Sequence, residues 1–393
     1  LDLEMNMFEY QKNNQYIATI SNGLETEGAK ELAELGAEQT LVNYRTVSFT
    51  ANPETMMKIT VMNRLFSRIL APLARFRCLS DDDLYQNTYR NIEWEQIMSP
   101  DDTFSIFANV GNSNITHSHY SALNLKDAIA DYFRDKYGKR PDVDRDNPDV
   151  EISVGIFKNV AIISLDIGHG ALHKRGYRLK GVEAPLKENL AAALVRISGW
   201  DGSKPLYDPF CGSGTILAEA GLQYCKMPPA SLNTKWGFEL LPDFDEAEWE
   251  NVKTEIRSEL RPLPPNLIFG SDIDSRAVRI AQDNLANLPF GDEVTVTQRD
   301  FKSQNIENAM IICNPPYGVR LDEVEKVKLM LGEFGDFLKH KCQGSTAWIL
   351  VGDIDLVNSI GLKPSRRVEI YNGDIECRFV EIKIREFITP PDK

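Results

Sequence analysis

Positive charge is what this 393-residue chain is short of: 44 Lys and Arg stand against 58 Asp and Glu, a net charge of -14. Phosphate binding needs clustered cations, so the average surface argues against a polyanionic partner. Cysteine is sparse as well. Cys78, Cys211, Cys225, Cys313, Cys342 and Cys377 are scattered, with no C-x-x-C pair and no metal-ligand spacing. That argues against a disulfide framework or a bound metal and fits a reducing cytoplasm. No apolar run approaches the roughly 18 residues that span a bilayer, and no charged-then-apolar segment opens the chain, so neither membrane insertion nor secretion is expected. The chain opens on Leu1 rather than Met, so its numbering is expected to start inside the natural sequence or with added residues. No fixed-period repeat runs through it, which disfavours a solenoid. The 42% hydrophobic and 26% charged fractions match an ordinary globular protein with ample core material, and the length suggests two or three domains.

Periodicity divides the chain. Tyr16–Ile20 and Val47–Thr50 read as strands, residues 23–35 as a helix stopped at Gly36, and Pro53–Leu70 as a second helix, together a small α+β unit. A second α+β module follows. Thr103–Val110 alternates as a strand, and Asn124 is placed to cap a helix with Leu125, Ala128, Ile129, Tyr132 and Phe133 on one face, ended by Gly138. Val150–Phe157 and Val160–Asp166 form a hairpin about Lys158-Asn159. Beyond a polar linker, strands and helices alternate. Helices are expected at Pro185–Ser198, Thr215–Tyr224 and Ser275–Leu288, and strands at Pro205–Asp208, Asn266–Ser271, Val294–Thr297 and Met310–Cys313. Such alternation predicts a mostly parallel sheet covered on both faces. The acidic, Pro-bearing stretch 224–265 reads as an insertion with one helix near Asp245–Leu260. Arg367–Tyr371 and Arg378–Arg385 flank Asn372-Gly373-Asp374, a hairpin closing the parallel sheet. The expected organisation is therefore 1–70, 71–168, a basic linker 169–184, and an α/β domain 185–393.

Three loops carry chemistry. In Asp208-Pro209-Phe210-Cys211-Gly212-Ser213-Gly214-Thr215, glycines after a strand let backbone approach a ligand, and the helix start offers free N–H groups to a carboxylate. Asp208 suits a neighbouring ammonium. In Ser271-Asp272-Ile273-Asp274, Asp272 ends a strand where an acid meets ribose hydroxyls, while Asp274 fits a helix N-cap. Asp300, after the third strand, could reach an adenine amine. The loop Asn314-Pro315-Pro316-Tyr317-Gly318 is the most specific. Two prolines remove N–H donors and expose carbonyls; with the Asn314 oxygen these suit the hydrogens of an exocyclic amine, and Tyr317 offers a face for stacking a base. None of the five histidines is placed by sequence near these loops. His117 and His119 would share one side of a strand, and read as surface loop residues rather than metal ligands.

These loops resemble the S-adenosylmethionine-dependent class I methyltransferases of the N-P-P-Y group. The run His173-Lys174-Arg175-Gly176-Tyr177-Arg178, followed by Ala184-Pro185-Leu186 and Glu188-Asn189-Leu190-Ala191-Ala192, is similar to bacterial THUMP-domain RNA methyltransferases. Residues from about Glu93 to Asp166 look like the THUMP module, and those before it like the family's ferredoxin-like unit. The resemblance implies transfer of methyl to the exocyclic N2 amine of a guanosine in 23S ribosomal RNA or a ribosome precursor. It implies that Asp208, Phe210, Gly212, Ser213 and Gly214 hold the methionine side of S-adenosylmethionine. Asp272 would bind the ribose, Asp300 would lie near adenine, and Asn314, Pro315, Pro316 and Tyr317 would grip the base, with Asn314 also beside the cofactor. Some relatives carry a second methyltransferase domain; this chain ends at Lys393, so one reaction is expected.

The charge deficit is not uniform. Lys174, Arg175, Arg178 and Lys180 lie close together in the linker; with Tyr177, Lys174, Arg175 and Arg178 are the expected RNA contacts. Two further groups are Arg134, Lys136, Lys139, Arg140 and Arg145, and Arg64, Arg68, Arg75 and Arg77. Other readings of the same motifs are tRNA guanosine-N2 methylation, adenine-N6 methylation of nucleic acid, and a non-catalytic RNA-binding assembly factor.

Overall fold

A computed structural model describes residues 7–179, 186–233, 235–317 and 321–385, with side chains from 324 onward in the last segment. The expected Pro185 helix start, Lys180, Ala184 and Gly318 fall outside the described residues. The chain forms two compact units. The first takes residues up to Ile20, 25–172 and 233–255; the second takes 21–24, 173–232 and 256 onward. Most of the expected insertion thus belongs to the first unit.

The first unit is built, in chain order, from β1 (Gln15–Thr19), α1 (Glu25–Glu34), β2 (Gln39–Asn43), β3 (Thr46–Thr50), α2 (Pro53–Met62), β4 (Arg68–Arg77), α3 (Asp81–Asn91), β5 (Thr103–Gly111), α4 (Ser118–Tyr137), β6 (Asp142–Val143), β7 (Val150–Phe157) and β8 (Val160–Asp166). Its strands make one sheet, ordered β2-β3-β1-β4-β8-β7-β5-β6. The ten-residue β4 pairs antiparallel with β1 at one end and with β8 along most of its length, so a single sheet runs through both expected α+β modules.

Two sequence expectations fail here. The helix expected over Pro53–Leu70 stops at Met62. Asn63 is extended (φ -63°, ψ 145°), and its side-chain amide donates to the carbonyls of Ile59 and Thr60, both at 2.9 Å. The next two backbone N–H groups, of Arg64 and Leu65, are taken by the buried Glu31 carboxylate at 2.9 and 3.1 Å. With its hydrogen bonds diverted, the chain leaves the helix and enters β4. Asn124 caps nothing. It lies inside α4, and its Nδ2 donates to the Asp81 carbonyl at 2.8 Å, tying α4 to the start of α3. His117 is the N-cap residue of α4 and His119 lies in its first turn, both exposed and neither on a strand. Gly138 ends α4 in the left-handed region (φ +69°), as its position predicts.

The second unit contains α5 (Glu188–Ser198), β9 (Leu206–Asp208), α6 (Thr215–Tyr224), the last turn of α7 (Glu246–Glu259), β10 (Ile268–Asp272), α8 (Ser275–Leu285), β11 (Thr295–Gln298), β12 (Met310–Cys313), α9 (Leu321–Lys341), β13 (Thr346–Val351), α10 (Ile354–Val357), β14 (Arg366–Asn372) and β15 (Ile375–Lys383). Among the described residues α5 begins at Glu188, with Lys187 extended, three residues after the expected start. The sheet order is β11-β10-β9-β12-β13-β15-β14. The first five strands are parallel, and the Asn372-Gly373 hairpin closes the sheet antiparallel with Gly373 at φ +64°. Helix α9 packs on the β12–β13 side around Phe301, Leu331, Phe334, Phe337 and Leu338, all buried. Among the described residues all six cysteines are buried and none forms a disulfide, and no helix is long and apolar enough to cross a membrane.

Candidate active site at the sheet's switch point

The strand order locates the site. From β9 the chain steps outward through β10 to β11, then returns to lay β12 on the other side of β9. Loops leaving β9 and β12 therefore diverge, and the crevice beyond the strands' carboxyl ends at such a switch point is where parallel sheets bind ligands. Met310 and Ile311 stand opposite Leu206 and Tyr207, so Asp208 and Asn314 emerge side by side at that crevice.

The β9 loop is shaped by its glycines. Gly212 (φ +52°) and Gly214 (φ +80°) occupy the left-handed region. A Cβ on Gly214 would sit 3.1 Å from that of Ala281, whereas one on Gly212 would meet nothing within 4 Å. The loop is thus packed against α8 at one glycine and open at the other. Asp208 is 2% exposed and accepts the Phe210 N–H at 3.0 Å. Burial holds its carboxyl well above the usual range, and the nearby Asp272 charge adds to that. Ser213 is buried, its hydroxyl 3.3 Å from that of Thr215, the first residue of α6. Phe210 turns away into the aromatic cluster, 5.3 and 5.0 Å from the Phe301 and Phe334 ring centres. It anchors the loop from below.

Asp272 ends β10, as its sequence position predicts. One oxygen accepts the Gly212 N–H and the other the Asp274 N–H, each at 3.0 Å. The carboxylate is fixed against the glycine loop and keeps lone pairs for further donors. Asp274 caps α8 through the Arg276 N–H at 2.8 Å. Asp300 caps the short turn after β11, accepting the Lys302 N–H at 2.9 Å.

Asn314 follows β12 directly, and Cys313 beneath it is fully buried. Pro315 is buried and Pro316 exposed. The Tyr317 hydroxyl donates to the Asn314 side-chain oxygen at 2.5 Å, and Asn372 Nδ2 lies 3.5 Å from the same hydroxyl. A Cβ on Gly352, just past β13, would fall 2.6 Å from the Tyr317 ring. The missing side chain there is what lets the ring lie down. Burial raises the phenol above its ordinary value, so Tyr317 acts as a neutral donor.

The linker contradicts its sequence reading. Arg175 and Tyr177 are each 1% exposed, inside the second unit. The Tyr177 hydroxyl donates to Glu219 Oε1 at 3.0 Å, and Arg175 Nε lies 3.6 Å from the same oxygen. Arg178 donates to the Leu186 carbonyl at 2.7 Å and to the Thr215 hydroxyl at 2.8 Å, beside Glu188. Arg175 and Tyr177 are therefore withdrawn as RNA contacts, and Arg178 is occupied with the start of α6. A run of charges without apolar period reads as solvated; here the charges answer Glu219 and Glu188 inside the domain. Among the described residues of that group only Lys174 is exposed. Sequence reasoning also missed Gln304, whose amide donates to the Ser271 hydroxyl at 2.7 Å, and Asn284, which bonds the Ser213 carbonyl at 3.1 Å. Neither stands in a recognisable motif.

Comparison with known proteins agrees with this architecture. Residues 15–70 match the RlmL ferredoxin-like domain, 79–166 the THUMP domain, and 175–381 the RMKL-like methyltransferase domain. A Synechocystis sp. protein, slr0064, named for RNA methyltransferase activity, is 36% identical over 94% of this chain and 96% of its own. The ribosomal RNA large subunit methyltransferase K/L of Vibrio campbellii is 35% identical over 95% of this chain; the chain spans about half (54%) of that relative's length. The crystal structure of SMU.472 complexed with SAH superposes with a TM-score of 0.82 at 29% identity, covering 95% of this chain and 98% of that one. From its methyltransferase domain and from its full-length similarity to these proteins, the chain belongs to the RMKL-like methyltransferase family with ferredoxin-like and THUMP domains.

Proposed function

We propose that the protein transfers a methyl group from S-adenosylmethionine to the exocyclic N2 amine of a guanosine in 23S ribosomal RNA. One observation carries this reading: Asp208 and the Asn314–Tyr317 loop leave adjacent parallel strands at the switch point, which supports reading them as a cofactor loop and an amine-gripping loop that work together. The residues fit the cofactor. The loop is open over Gly212, a buried carboxyl stands at its root, and Asp272 is fixed by two backbone donors. S-adenosylmethionine, when bound, supplies a methyl group already activated on sulfonium. Asp208 would meet the ammonium, the Ser213–Thr215 helix start the carboxylate, Asp272 the ribose hydroxyls and Asp300 the adenine amine. Relatives named for RNA methylation and a structural neighbour solved with SAH support this assignment.

On the acceptor side, the work of the protein is positioning. The Asn314 oxygen and the Pro315 carbonyl accept the two amine hydrogens, which localises the nitrogen lone pair, and Tyr317 supplies the stacking face. Holding two reactants in line is worth about 7–11 kcal/mol in well-oriented systems. No strong base is needed, because the methylated amine becomes acidic and loses its proton late. Asn314→Ala is expected to abolish tritiated-methyl transfer to ribosomal RNA while leaving the calorimetric affinity for S-adenosylmethionine within about twofold; unchanged turnover removes Asn314 from the mechanism. Nucleoside mass spectrometry of RNA from a deletion strain is expected to lose one N2-methylguanosine from the large-subunit RNA. Loss of N6-methyladenosine, or of a tRNA modification, would replace the present assignment.

A further inference from the structure

On the first unit, one sheet face is uncovered near the hairpin of β7 and β8. Cross-strand register arranges it in rows. Arg77, Val160, Phe157 and Gly111 stand in line across β4, β8, β7 and β5, and Arg75, Ile162, Gly155 and Asn109 form the next row. Paired residues share a face, so these eight positions form one surface. Two residues further on, Phe107 lies opposite Ser153 on the same side.

Two properties set this surface apart. Phe107 and Phe157 are 48% and 49% exposed, an unusual setting for phenylalanines at mid-sheet and strand end. Arg68, itself paired to Glu151 and Asp166, holds its guanidinium 4.8 Å from the Phe107 ring centre and fixes the ring in place. Gly155 lies between the rings, and a Cβ there would meet nothing within 4 Å, so the face is open and flat. The second property is charge. Elsewhere in this unit Lys12, Lys58, Arg134, Lys136, Lys139 and Lys235 pair with carboxylates. Arg75, Arg77 and Lys158 are exposed and form no ion pair among the described residues. Arg45, Arg90, Arg140 and Arg145 of this unit are likewise exposed and form no ion pair among the described residues, so what distinguishes Arg75, Arg77 and Lys158, in a chain of net charge -14, is their place beside exposed aromatic rings.

We infer that this face is a platform for single-stranded RNA: Phe107 and Phe157 stack bases, Asn109 between them meets a base edge, and Arg75, Arg77 and Lys158 take phosphates. Aromatic rings on an open sheet edged by cations suit unpaired bases, which have exposed π-faces, and do not suit a duplex, whose bases are stacked on one another. Phe107 and Phe157 lie on adjacent strands and four residues apart along them, roughly 14 Å by strand geometry, a span that one extended strand bridges. The inference rests on the RNA reading above and adds where, and in what form, RNA is held.

The test uses the full-length protein, with anisotropy of a fluorescein-labelled 12-nucleotide oligouridylate and of a 12-base-pair RNA duplex. The single strand is expected to bind more tightly than the duplex. Phe107→Ala and Phe157→Ala are each expected to weaken single-strand binding roughly tenfold, as loss of one stacked base does. Arg75→Gln with Arg77→Gln is expected to flatten the dependence of log affinity on log salt by about 1.4, two phosphates' worth for a single strand. Gly155→Glu guards against misfolding, because its side chain enters open space on a strand: it is expected to leave the unfolding midpoint unchanged and weaken RNA binding. Wild-type affinity in Phe107→Ala, Phe157→Ala and Gly155→Glu overturns the platform, as does preference for the duplex. If those variants bind normally while the wild-type enzyme methylates ribosomal RNA, the platform alone falls. If the wild-type enzyme neither binds nor methylates any RNA, the functional reading falls and takes the platform with it.

Discussion

Asp208 shows how much one buried group can report. Its carboxyl is walled off by β9 and the glycine loop, and burial pushes its pKa well above the ordinary carboxylate range. A raised value means that the free protein keeps this proton to higher pH than an ordinary carboxyl does. An ammonium seated beside it favours the ionised form, so cofactor binding expels a proton and affinity rises with pH until Asp208 is ionised in the free protein. Calorimetry of S-adenosylmethionine binding just above the ordinary carboxylate range, in buffers of different ionisation enthalpy, is expected to show this proton release. Asp208→Asn is expected to abolish the release and weaken binding about ten- to a hundredfold, the worth of a charge-assisted hydrogen bond in a buried site. Proton release unchanged in that variant would move the ammonium elsewhere. The Tyr317 hydroxyl makes the complementary point on the acceptor side. It already donates to the Asn314 oxygen, which leaves that oxygen's second lone pair for the base amine, and the ring rests on Gly352 only because that residue lacks a side chain.

At the level of elements, the junction between α2 and β4 depends on Glu31, which reaches from α1 to take two consecutive N–H groups from a neighbouring segment. Glu31→Ala leaves those donors without their acceptor, at a cost of about 1–3 kcal/mol each where they are buried. The expected result is a lower urea midpoint for the first unit with unchanged affinity for S-adenosylmethionine, read by far-ultraviolet circular dichroism and calorimetry. This junction also marks where the sequence stops being readable. Strong local signals held: the hairpins at Lys158-Asn159 and Asn372-Gly373, the Gly138 helix stop, the Asp274 cap, and the strands that end at Asp208, Asp272 and Cys313. The expectations that failed each needed a distant partner. Helix α2 ends through Asn63 and Glu31, Asn124 is recruited by Asp81, and the linker arginines are drawn inward by Glu219 and Glu188. The motif loops could be read because their chemistry is carried by contiguous residues. Gln304, Asn284 and Gly352 could not, because each acts across many positions of sequence.

For the molecule as a whole, the -14 charge and the division into two units lead to one expectation about where ligands act. An acidic average surface repels polyanions, so RNA affinity must come from local groups of cations, and Arg75, Arg77 and Lys158 are separate in sequence from the glycine and Asn-Pro-Pro-Tyr loops. Cofactor and RNA should then leave different footprints in amide hydrogen exchange. Saturating S-adenosylmethionine, at about 100 times its dissociation constant, stabilises whatever binds it by about 2.7 kcal/mol. Its protection is expected at residues 208–215, 272–274 and 314–317, with β5 and β7 unchanged. The single-stranded oligouridylate is expected to slow exchange at the ends of β5 and β7 and in the Lys158-Asn159 turn, without touching 208–215. Cofactor protection spreading through β5 and β7 would mean that both ligands draw on one cooperative unit. Local charge would then no longer account for how an acidic protein of this kind holds an acidic partner.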